Sequence, residues 1–176
     1  MADSYKYTIM KKESLADSIY LMDIKAPRVS KNCYPGQFII VKMDEKGERI
    51  PLTICDYDRD AGTVTIVFQA IGSSTKRMAA YEVGEAFADF TGPLGVRSEL
   101  IDMPKEDLSK LKILFIAGGV GTAPVYPQVK WLKQNGYAAD CIIGARSKDF
   151  IILEDRMKEH VRDLYVCTDD GSYGFK

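Results

Sequence analysis

Three short stretches of this 176-residue chain combine residue types that could hold an anion close to the backbone. The first is "AGGVGTAP", Ala117 to Pro124, which follows an apolar run and leads into a helix-like stretch. Glycines let a bulky anionic group reach the main chain, and a helix N-terminus adds free N–H donors and the positive end of its dipole. The pattern is G-G-x-G-x-x-P, an imperfect match to the dinucleotide fingerprint G-x-G-x-x-G, so a tight strand-to-helix turn without a ligand is the competing reading. The second is "RIPLT", Arg49 to Thr53. An arginine two residues before a strand-opening proline could pair with an anion beside a ring carried on the strand. A surface arginine before an edge strand is the alternative. The third is "FQAIGSSTKRMAA", in which Gly72, Ser73, Ser74 and Thr75 open a short helix. Hydroxyls and helix N–H groups there suit a phosphate, or only an N-cap. "GPLG", Gly92 to Gly95, reads as a turn.

Other chemistries find little support. Cys33, Cys55, Cys141 and Cys167 form no C-x-x-C pair and have no histidine nearby, so neither a metal site nor a disulfide framework is expected. They read as buried free thiols, Cys141 and Cys167 above all. The single histidine, His160, falls in "EDRMKEHVRD" and reads as a surface helix residue. A net charge of -1 with scattered lysine and arginine argues against nucleic acid. No apolar run approaches the ~20 residues of a membrane span, and "MADSYKYTI" has no signal-peptide core, so a cytoplasmic protein is expected.

The elements that must position the three stretches fall into two halves. "YKYTIMKK", "SIYLMDIKA", "GQFIIVKM", "PLTICDYD" and "GTVTIVFQA" read as strands separated by turn signals at Pro27, "YPGQ", "EKGE" and "RDAG". One helix-like piece begins at Ser73. This half predicts an antiparallel β-barrel over residues 1–98. Residues 99–111 read as a charged connector with at most a helical turn. Residues 112–176 then alternate: strand 113–117, helix 124–134, strand 138–145, helix 153–161, strand 164–168. That alternation predicts a parallel α/β unit, and one so small is expected to be incomplete.

Taken in order, R-x-P-L-T, G-S-S-T, G-P-L-G, A-G-G-V-G-T-A-P, "GAR" and "DDGSYG" resemble the ferredoxin–NADP reductase superfamily over the whole chain. Within it, the pattern is most similar to the flavin subunits of NADH-dependent ferredoxin:NADP oxidoreductases and sulfide dehydrogenases. Electron-transfer subunits of dihydroorotate dehydrogenase are related, but usually carry the arginine directly before the proline, where Ile50 intervenes here.

The resemblance implies that the barrel binds FAD and the α/β unit binds NAD(P)(H). Arg49 would contact the flavin pyrophosphate. Pro51, Leu52 and Thr53 would line the isoalloxazine, with Thr53 near N5, and Ala70, Gly72, Ser74 and Thr75 would hold the cofactor from the helix side. Many family members have tyrosine where Pro51 stands. Gly118, Gly119, Gly121 and Thr122 would approach the nicotinamide dinucleotide. Arg146 would read the adenosine ribose or its 2′-phosphate, Asp149 would suit a free ribose hydroxyl, and Asp170 and Gly171 belong to a loop over the nicotinamide side. The implied chemistry is hydride transfer between nicotinamide C4 and flavin N5, with single electrons passed to a ferredoxin or larger partner subunit. A [2Fe-2S] cluster is expected beyond residue 176, and no metal within it. A non-catalytic flavin or nucleotide-binding module is the rival reading.

Overall fold

The computed structural model describes residues 7–176, so Tyr5 and Lys6 of the first expected strand lie outside the described residues. The first half holds β1 (Ile9–Ala16), β2 (Ile19–Lys25), β3 (Phe38–Lys42), β4 (Arg49–Asp58), β5 (Thr63–Gln69) and β6 (Asp89–Leu94). They form one antiparallel sheet in the order β1-β2-β5-β4-β3-β6. A bridge between Thr8 and Ala86 ties the β1 edge to the segment entering β6, and so curls the sheet towards a barrel. Two short helices belong to this half, α1 (Pro27–Asn32) and α2 (Ser73–Ala79).

Side-chain alternation sorts the strands into two cores. On β5, Val64, Ile66 and Phe68 face the barrel interior with Met22 and Ile24 of β2. The intervening Val67, with Ile19 and Leu21 of β2, packs outward into a second core. Both faces of β2 and β5 are therefore buried, which explains the near-continuous apolar run "VTIVF".

After β6 come two single-turn helices, α3 (Glu99–Asp102) and α4 (Lys105–Leu108), in the stretch read as a connector. Then β7 (Ile113–Gly118), α5 (Thr122–Gln134), β8 (Ala139–Ala145), α6 (Glu154–Lys158) and β9 (Leu164–Thr168) follow. The three strands are parallel in the order β7-β8-β9. Asn135 and Gly136, the latter at φ +84°, close α5 as expected. Ala123, Tyr126 and Val129 of α5 join Ile143 of β8 and Val166 of β9 in the second core, which the outward face of β2 and β5 shares.

Several local expectations are corrected. Pro27 opens α1 instead of a turn, because its fixed φ and missing N–H suit a first helical position. Gly92 to Leu94 continue β6 instead of turning; a Cβ on Gly92 would lie 2.6 Å from Ile39 Cγ2, so glycine there allows close strand packing. The expected helix 153–161 is regular only over Glu154–Lys158. His160 lies just past it, half-buried, its Nδ1 2.8 Å from the Arg156 carbonyl and its ring edge-on to Tyr126. Cys33, Cys55 and Cys141 are buried, whereas Cys167 is half-buried.

Candidate functional site

Strand β4 serves two partners in turn. Residues Arg49 to Thr53 pair with β3, and Ile54 to Asp58 pair with β5, with a register shift between Ile54 and Asp56. Pro51 thus sits where β4 has a ladder neighbour on one side only, the place a strand tolerates a missing N–H. Alternation turns Ile50 and Leu52 towards the barrel core, against which both pack. Arg49, Pro51 and Thr53 face outward. Their cross-strand partners are Lys42, Ile40 and Phe38 of β3, beyond which lie Asp89, Thr91 and Leu94 of β6. The result is a shelf with a charged end, an apolar middle and a hydroxyl at Thr53. Arg49 Nη1 donates to Asp89 Oδ2 at 3.1 Å, and its side chain is 58% exposed. Of the four residues expected here, Leu52 offers the shelf only its backbone.

Helix α2 starts beside the charged end. The Ser74 hydroxyl donates to the carboxylate of Glu48, the residue before Arg49. Thr75 Oγ1 accepts from Gly72 N at 3.1 Å and donates to Gly72 O at 3.2 Å, so its hydroxyl caps its own helix. A Cβ on Gly72 would meet nothing nearer than Thr75 Oγ1 at 3.9 Å, which leaves the helix start approachable. Ala70 leaves β5 with its N–H donating to Ser18 O at 2.7 Å.

The glycine loop opens a cleft of about 570 Å³ at the carboxyl ends of β7, β8 and β9. That is where open parallel sheets bind ligands. Gly118, Gly119, Gly144 and Arg146 line it from the α/β side, Ile19 and Gln69 from the barrel side. A Cβ on Gly118, Gly119 or Gly121 would meet nothing within 4 Å, and Gly119 has φ +52°. These glycines therefore border open space that a side chain would fill. Thr122, by contrast, is 2% exposed within the first turn of α5. Gln69 leads within three residues to Gly72, so the cleft, the start of α2 and the Arg49 end of the shelf follow one another.

The loop after β9 meets the end of β8. Asp170 N donates to Arg146 O at 3.2 Å, and Lys148 N donates to Ser172 Oγ at 2.9 Å. Gly171, at φ +74°, makes the turn. Hydrogen bonds from Ser172 hold the Asp170 carboxyl below the usual carboxylate range. The Arg146 guanidinium carbon lies 3.5 Å from the centroid of the Phe150 ring, a cation–π contact that fixes its plane. Asp149 is exposed beside it.

Phe150, Glu48, Asp89 and Gln69 were missed in the sequence. Glu48 and Phe150 stand within four residues of Arg49 and Arg146, a proximity that could have flagged them. Asp89 and Gln69 arrive only through strand pairing. Among the described residues, no group of three His, Cys, Asp or Glu is arranged to hold a metal ion, and no helix is long and apolar enough to cross a membrane.

No family model matches the chain. A protein encoded in the adh 3′ region of Clostridium beijerinckii is 58% identical, over 97% of this chain and 57% of that protein. The electron transfer subunit of dihydroorotate dehydrogenase B (NAD(+)) from Bacillus mycoides is 31% identical, over 100% of this chain and 67% of its own length. A solved structure of an NADH-dependent reduced ferredoxin–NADP oxidoreductase, described for flavin-based electron bifurcation, superposes with a TM-score of 0.84. It is 35% identical and is matched over 100% of this chain and 61% of its own. The chain spans 57% of the length of the first two curated relatives it matches. With this likeness running along all its described strands, the chain belongs to the ferredoxin–NADP reductase superfamily.

Proposed function

We propose that this chain is the flavin- and nicotinamide-binding part of an oxidoreductase subunit that passes electrons between NAD(P)H and an iron–sulfur partner. The observation that carries the reading is the pairing of an outward shelf on β4 with a glycine-lined cleft whose Cβ positions are empty. The shelf suits FAD: Arg49 and the open start of α2 would bracket its pyrophosphate, and Pro51 and Ile40 would support the ring, with Thr53 at its polar edge. The cleft suits a nicotinamide dinucleotide, its phosphates over Gly118 to Gly121 and its adenosine towards Arg146 and Phe150. Asp170 and Gly171 would border the nicotinamide side. When bound, these groups supply the hydride and single-electron chemistry, while the protein supplies orientation and water exclusion. Single electrons would pass to an iron–sulfur partner, a ferredoxin or larger subunit, and the [2Fe-2S] cluster that the resemblance implies would lie beyond residue 176. Four unpaired thiols suit a reducing compartment such as the cytoplasm. The proposed division of labour is residues 1–98 for flavin and 112–176 for nicotinamide.

A second reading, an electron-transfer subunit of a dihydroorotate dehydrogenase, is favoured by the match to the Bacillus mycoides protein. Purified protein should carry a flavin spectrum that bleaches anaerobically with NADH or NADPH. A yellow protein inert to both would support a binding module without catalysis, and a colourless protein that takes up no FAD would overturn the proposal. Co-purification with a dihydroorotate-oxidising subunit would select the second reading.

A further inference from the structure

We infer that Asp56 and Lys130 form a positioning pair that sets the distance between the flavin shelf and the glycine loop; the inference rests on the function proposed above. Lys130 Nζ lies 2.7 Å from Asp56 Oδ1 and 2.9 Å from Oδ2. The two side chains are 24% and 17% exposed. Each is held from behind. Asp56 Oδ1 also accepts from Tyr57 N at 2.8 Å, and the Lys130 ammonium sits 5.9 Å from the Tyr126 ring centroid, one helical turn away.

The placement of the pair gives it leverage. Asp56 lies on β4, three residues beyond Thr53. Lys130 lies on α5, which begins at Thr122 directly after the glycine loop. One element carries the shelf, the other presents the loop, and the pair joins them some way along each. The arm from Lys130 to Thr122 is about 12 Å at helical rise, and that from Asp56 to Thr53 about 10 Å at strand rise. With arms this similar, slippage at the pair reaches the reacting ends nearly undiminished. Hydride transfer needs donor and acceptor atoms at about 3–3.5 Å, and a misplacement of about 1 Å can cost about 100-fold in rate.

Two other polar contacts cross between the halves, Ser98 Oγ donating to Gln128 Oε1 of α5 at 2.9 Å and Arg156 lying 3.8 Å from Glu13, but neither ties β4 to α5. Between β2, β4 or β5 and α5, Leu21, Cys55 and Val67 share an apolar core with Ala123, Tyr126 and Val129. Such attraction is non-directional and tolerates sliding. Beside the pair lies a cleft of about 740 Å³, bordered by Trp131, Asp23, Arg59 and Arg156. The neighbouring charges are engaged elsewhere: Asp23 accepts from Thr65, Arg59 donates to the Cys33 carbonyl, and Arg156 lies 3.8 Å from Glu13.

The test uses Asp56→Asn, Lys130→Gln, the double variant that strands neither charge, and Lys130→Arg as the conservative replacement. Trp131, the single tryptophan, borders the cleft and reports its opening without any cofactor. In flavin-free protein, acrylamide quenching of Trp131 should rise in the double variant and return towards wild type in Lys130→Arg. In flavin-loaded protein, the limiting rate of flavin reduction at saturating NADH should fall about 10- to 100-fold in the double variant. Flavin content and the apparent Kd for NADH should stay unchanged, and Lys130→Arg should recover most of the rate. Wild-type rate and quenching in the double variant would overturn the inference. So would a rate loss that merely follows lost flavin or lost circular dichroism, or a Lys130→Arg variant as slow as Lys130→Gln. A wild-type protein that takes up no flavin would instead overturn the proposed function, and the quenching comparison would still decide whether the pair fixes the cleft.

Discussion

Gly118→Ala separates the ligand role of the glycine loop from its folding role. Gly118 has φ -123°, an ordinary extended conformation, and a Cβ placed there would meet nothing within 4 Å. The folded chain therefore accepts the methyl group without strain, while the unfolded chain loses backbone freedom, a gain of about 0.4–1 kcal/mol for the folded state. At about 2–4 °C per kcal/mol for a chain of this size, Tm should hold or rise by about 1–4 °C. Binding should respond in the opposite direction. If phosphates approach the Gly118 backbone, the added methyl occupies their contact position, and even a partial displacement costing about 1.4 kcal/mol raises Kd tenfold. The assay is thermal unfolding of the free protein together with calorimetric titration of NADH and NADPH. Unchanged affinity for both, at unchanged Tm, would refute the placement of a dinucleotide over this loop. A fall in Tm would refute the geometric reasoning itself.

Arg49→Ala should weaken FAD retention by about 1.5–3 kcal/mol through loss of a charge-assisted contact, measured by flavin titration of apoprotein. The exposed Arg49–Asp89 pair adds little to stability, so Tm should barely move. Arg146→Ala should raise KM for NADPH and spare NADH if the guanidinium stacked on Phe150 reads a 2′-phosphate; equal effects would instead indicate stacking on adenine. Burial pushes the Cys33 and Cys141 thiols from the ordinary 9.0 up to about 11. Above pH 9 the unfolded chain loses these protons first, so stability should fall between pH 9 and 11 by about 1.4 kcal/mol per pH unit and thiol. Urea unfolding of wild type against a Cys33→Ala/Cys141→Ala variant isolates that slope. With a small thiol reagent near neutral pH, half-buried Cys167 should react before the other three.

Strands were legible where side chains alternate and turn residues flank them; β9 lies at the residues read from the sequence, Leu164 to Thr168. Helix starts were less so, because Pro27 and Pro124 carry the same local signal whether a turn or a helix follows. The strand at Gly92 was hidden because its glycine answers to Ile39, fifty-three residues away in the chain. For the candidate site, backbone motifs showed themselves through glycine spacing. The groups that meet them did not. Asp89 reaches Arg49 by way of β3, and Asp56 reaches Lys130 by way of a strand-to-helix contact, neither of which has a short-range signature. Leu52 illustrates the opposite case: the motif names Pro51, Leu52 and Thr53 together, while a strand shows every second side chain to one face.

The second hydrophobic core, in which Ile19, Leu21 and Val67 of the barrel sheet pack with Val129, Ile143 and Val166 of the α/β unit, bears on how the molecule melts and how it can be recombined. Each half has a core of its own, yet each also presents an apolar face that only the other covers. A cut after residue 98 would leave the outward faces of β2 and β5 to water on one fragment and the inner face of α5 bare on the other. The two sheets should therefore unfold in one transition, with calorimetric and van't Hoff enthalpies in agreement. A chimaera that exchanges one half between relatives would then inherit its thermal stability from how well the two outward faces match, more than from either parent's own half.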